Sequence, residues 1–99
     1  MKNLIQITIL FFLMVSPAHA ETTNEECILE NMPGVKNKLA AVSVIRLCKK
    51  YPQAPQGLNA SNWFGPKSGP ECVLKYGKNE SLQISAAMIY RACNKLYGP

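Results

Sequence analysis

Four cysteines, Cys27, Cys48, Cys72 and Cys93, are the residues of this 99-residue chain best suited to chemistry. Thiols can do three things here. They can exchange disulfides, hold a metal, or pair as structural staples. Exchange needs a reactive pair such as C-x-x-C with one low-pKa thiolate, and no such spacing exists. A Cys₄ zinc site is built from C-x₂-C pairs, and these are also absent. An even cysteine count in a short chain instead reads as a disulfide framework.

Other catalytic side chains are scarce. The chain has one histidine, His19, and no aspartate. Residues 1–20 read as a secretory signal peptide of bacterial type. Lys2 gives a positive start, Leu4 to Ser16 form an apolar run, and small residues stand at Ala18 and Ala20. The run is short for a membrane span, and Gln6 and Thr8 weaken it further. Cleavage is expected before Glu21, which makes the protein periplasmic or secreted. The remaining chain would lack histidine, and with it the imidazole base of Ser-His-Asp and Cys-His catalysis. Glu30 and Glu80 read as lone surface carboxylates. No enzyme, cofactor or metal is expected. Once Lys2 is gone, ten Lys and Arg face six Glu. That modest excess reads as a solvated surface rather than a binding patch.

A chain of this size holds one small domain with a marginal core. Its order comes from a repeat. "ECILENM" at Glu26 is echoed by "ECVLKYG" at Glu71, an offset of 45. The same offset carries Leu29 onto Leu74, Ala41 onto Ala86, Arg46 onto Arg91, and Cys48 onto Cys93. This is an internal duplication, with unit one at about 23–51, a connection at about 52–67 and unit two at about 68–97.

Each unit reads as a short helix, a turn and a longer helix. Thr23 and Ser68 each stand three residues before a glutamate, the capping-box spacing. Glu25, Glu26 and Glu71 suit the positive end of a helix dipole. "MPG" at Met32 and "YGKN" at Tyr76 supply the stops. The longer helices are expected from about Asn37 to Lys50 and from about Glu80 to Leu96. Ala41, Val44, Ile45 and Cys48 share one helical face. Ala86, Ile89, Tyr90 and Cys93 repeat it. The predicted fold is all-α: two tandem disulfide-stapled helical hairpins packed into one small domain, their apolar stripes facing each other. Four cysteines allow three connectivities. The repeat favours Cys27 with Cys48 and Cys72 with Cys93, because each unit would then be self-contained. The spacing is also compatible with bridges between units.

The stretch from Tyr51 to Glu71 holds Pro52, Pro55, Pro66, Pro70 and three glycines, so the connection is expected to be extended and partly ordered rather than helical. Trp63 and Phe64 interrupt it. They read first as a cap on the core between the hairpins, since so small a core needs the area. They are also the candidate partner contact. Asn59 and Asn79 match the glycosylation sequon but are expected to stay unmodified in a bacterial protein.

"CILENMPG…LAAVSVIRLC" and "CVLKYG…ISAAMIYRAC" resemble the repeated motif of small four-cysteine exported proteins of Gram-negative bacteria. Those chains pair a Cys-aliphatic-Leu start with an Ala-rich helix ending in Ala-Cys. The resemblance covers nearly all of residues 21–99 outside the connection. This chain departs from the pattern at Leu47, where Ala would precede the cysteine. It departs again at Tyr76-Gly77, which stands where unit one has Met32-Pro33-Gly34. The family is uncharacterised in function, so the resemblance implies no activity and assigns no functional residue.

The leading expectation is therefore a non-enzymatic exported module that binds a protein or an envelope component. A cationic membrane-active protein is the alternative, given Lys36, Lys38, Arg46, Lys49 and Lys50 on an amphipathic unit. Interfacial binding would, however, have to expose the stripe that the disulfide turns inward. A thiol–disulfide enzyme is further off for want of a reactive pair. Nucleic acid is not an expected partner, because no aromatic-basic motif is present.

Overall fold

The computed structural model describes residues 22–61 and 65–98. The leader at 1–20 and the aromatic pair Trp63 and Phe64 lie outside the described residues. Four helices follow in order: α1 (Asn24–Asn31), α2 (Lys38–Cys48), α3 (Gly69–Gly77) and α4 (Gln83–Tyr97). The described residues form an all-α domain in which Cys27 is bonded to Cys48 and Cys72 to Cys93. Each bridge ties the short helix of a unit to its longer one, across 5.5 Å between Cα atoms in both.

The helix starts follow from their caps. The Thr23 hydroxyl accepts from the Glu26 amide at 3.2 Å, and Glu26 Oε1 accepts from the Thr23 amide at 3.0 Å, a complete capping box. In unit two the Ser68 hydroxyl accepts from the Glu71 amide at 3.3 Å. Asn37 caps α2 by accepting from the Ala40 amide at 2.8 Å. The second long helix starts at Gln83, three residues later than the sequence suggests. The Glu80 amide closes a turn onto the Gly77 carbonyl at 3.1 Å. The Glu80 carboxylate is drawn across to unit one, where it accepts from the Gly34 amide at 3.0 Å. Glu80 is thus half-buried and bound, not a lone surface carboxylate.

The packing of the units also corrects an expectation. The two longer helices touch only lightly, and their stripes do not meet as a pair. Instead α4 is the centre. It packs most broadly against α3, then against α1, and least against α2. The reason is in the side chains. On α4, Ser85, Ile89, Ala92, Cys93 and Leu96 are buried. Three of these are no larger than cysteine, so a neighbouring helix can approach closely. On α2 only Ala41 and Cys48 are buried. Tyr90, expected on the core face, stands in solvent. Among the described residues, only Ile28, Leu29, Met32, Ile89 and Leu96 of the twelve buried apolar ones are larger than cysteine or alanine. A core this thin explains why a fold of this length carries two staples.

Candidate functional site

The connection is not a slack tether. It winds through successive turns that close the Leu58 amide on Pro55 and the Ala60 amide on Gly57, and it seats on both units. At one end the Asn24 amide donates to the Pro52 carbonyl, and the Asn24 side chain donates to the Cys48 carbonyl, both at 2.8 Å. A Glu25 carboxylate oxygen accepts from the buried Ala54 amide at 2.7 Å. At the other end the connection caps the C-terminus of α4. The Gln56 side chain donates to the Asn94 carbonyl at 2.9 Å, the Gly57 amide to Lys95 at 2.7 Å, and the Asn59 amide to Leu96 at 2.8 Å. The Lys95 and Leu96 carbonyls are among the groups that a helix end leaves unsatisfied, and the Asn94 carbonyl also accepts from the Gly98 amide at 2.9 Å. Gly57 turns there with φ of +77°, a backbone region that favours glycine.

All four cysteines are buried, with Cys27 the most accessible at 3% of its surface. All four are oxidised, and no free thiol stands beside them among the described residues. The sulfurs act as staples. Among the described residues no three Cys or Glu side chains converge in the manner of a metal-binding group.

Among the described residues, two surfaces bear on what the fold could bind. One is a cleft between α1 and α4. Asn24, Glu25 and Ile28 line it on one side, and Met88, Arg91, Ala92 and Lys95 on the other. It brings one carboxylate near two cations, but that carboxylate already holds the Ala54 amide. The other is an apolar face on the outside of unit two, formed by Pro70, Val73 and Leu74 of α3 with Tyr90 and Asn94 of α4. Lys75, next to Leu74, folds its ammonium over the Tyr76 ring at 5.1 Å. Sequence reasoning missed this face because it placed Tyr90 in the core. The signal was available in the repeat: at an offset of 45, Pro70 stands where unit one has Glu25.

Fold and site together define a small all-α domain stapled within each of two repeated units. No family model, curated protein or solved structure matches this chain.

Proposed function

We propose that this chain is an exported, non-enzymatic module that works in the periplasm or outside the cell after cleavage before Glu21. In this reading it binds a protein or an envelope component. The observation that supports the reading most is the burial of both cystines. The four residues most capable of chemistry are consumed as staples, in a fold suited to an oxidising compartment. What such a fold offers to its surroundings is surface. The resemblance to small four-cysteine exported proteins of Gram-negative bacteria supports the export part of this reading.

The candidate contact is Trp63-Phe64, in the connection that joins the units. The test places a photo-crosslinking residue at position 63 of the exported protein in intact cells, with position 30 as an exposed control. The expected result is one discrete adduct from position 63 and none from position 30. Leakage from anionic vesicles at low protein concentration, with no adduct, would overturn the reading in favour of membrane activity.

A further inference from the structure

The duplication presents the same two faces twice, and the fold uses each of them once. In unit one, the face of α1 carrying Ile28 and Leu29 receives α4. Ile28 keeps 1% of its surface and Leu29 5%. Across that joint Ile28 shares a cleft with Met88 and Ala92 of α4, and Leu29 shares one with Leu96 and Tyr97 at its end. Shift both faces by 45 residues. The receiving face of unit two is then Val73 and Leu74, with Tyr90 in the place of Ile45. The covering face of unit one is Ser43 and Leu47 on α2. Both are bare. Leu74 is 65% exposed and Tyr90 57%. On α2, Leu47 is 47% exposed, and Leu39, eight residues before it on the same stripe, is 78% exposed.

We propose that these two unpaired faces are an interface between copies of this chain, the α2 stripe of one copy covering the α3–α4 face of the next. The occupant follows from the fold itself. Within one chain, a receiving face of this kind is already covered by a helix homologous to α2. The unit-one to unit-two contact shows how the joint is made, and the outer faces are its continuation. Such an interface is heterologous, with a different patch on each side. It therefore leaves a free face at each end of a dimer and propagates into a ring or an open row. It is also weak and apolar. Glu25, which shares the internal cleft with Arg91 and Lys95, is replaced at the free face by Pro70. Arg46 on α2 and Lys50 just past its end stand for the two cations. No acid takes the place of Glu25 there, and once Lys2 is removed ten Lys and Arg still face six Glu. Salt should therefore strengthen the association by screening like charge. This proposal does not rest on the envelope-binding reading, which concerns the connection.

Sedimentation velocity of the oxidised protein recovered from an exporting host tests it, from about 10 µM to about 1 mM, where a small patch should begin to hold. The average mass should rise with concentration and rise further with added salt. Leu74→Glu and Leu47→Glu each remove one face at an exposed position, and each alone should sediment as a monomer. Mixed in equal amounts they should form a dimer and nothing larger, because one intact face survives on each. Three outcomes would overturn the proposal. The mass could stay monomeric throughout. Leu74→Glu could dissociate the assembly while Leu47→Glu does not, which would mean two-fold pairing of unit-two faces. Or a photo-crosslinker at position 74 could capture a foreign protein and no second copy.

Discussion

Ser85 is fully buried on α4, and its hydroxyl has no hydrogen-bond partner among the described residues. A buried hydroxyl without a partner costs free energy, and alanine is also the better helix former. Unit one carries Ala40 at the equivalent place. Ser85→Ala should therefore stabilise the oxidised domain, by about 1 kcal/mol from these two terms. Urea titration of both proteins measures it, and a loss of stability would mean the hydroxyl has found a partner. Glutamates show where a reading at this scale runs out. Glu25 and Glu26 were legible as first-turn acids, and Glu26 does close its box. Glu25 also holds the Ala54 amide, and Glu80 the Gly34 amide. Those partners lie 29 and 46 residues away, and neither periodicity nor capping rules carry information over such distances.

Helices with a polar cap and a regular stripe were legible in the sequence. The starts of α1, α2 and α3 fall at Thr23, Asn37 and Ser68, because a cap is a local interaction. The start of α4 was not, since Leu82 occupies the cap position without a side-chain bond and tertiary contacts set the boundary. Partial order in the connection was legible, but its partners were not, because they are the far carbonyls of α4. Elements also meet at Gly69, the first residue of α3. Its amide donates to the Gly98 carbonyl at 2.9 Å, just as the equivalent Asn24 amide donates to Pro52. A Cβ at Gly69 would run into the Gly98 carbonyl oxygen and would stand 2.6 Å from Asn94 Oδ1. Helix propensity alone gives Gly69→Ala a gain of up to about 1 kcal/mol. The close approach of α3 to the end of α4 should reverse that sign. We expect a net loss of about 1–3 kcal/mol by overpacking, read from chemical denaturation. A gain would show that the two ends do not approach so closely.

Two staples of equal span need not do equal work. Each closes a separation of 21 residues, so the chain-entropy model gives each about 3 kcal/mol. The difference lies in what else holds the helices they join. The Cys72–Cys93 bridge joins α3 to α4, the helix on which both α3 and α1 pack. The Cys27–Cys48 bridge holds α2, which buries only Ala41 and Cys48 and touches α4 lightly. Removing it should therefore release α2 while α1, α3 and α4 stay assembled. Stability is distributed in such cooperative units, and helices with few buried contacts open first. Removing the other bridge should weaken the shared centre and lower protection everywhere. The pair to compare is Cys27→Ala/Cys48→Ala and Cys72→Ala/Cys93→Ala, by native-state hydrogen exchange read peptide by peptide. In the first, amides of 41–48 should lose nearly all protection while those of 86–96 keep most of theirs. In the second, protection should fall together in α1, α3 and α4. Uniform loss across all four helices in both variants would show that α2 belongs to the same cooperative core, and that the two units depend equally on their staples.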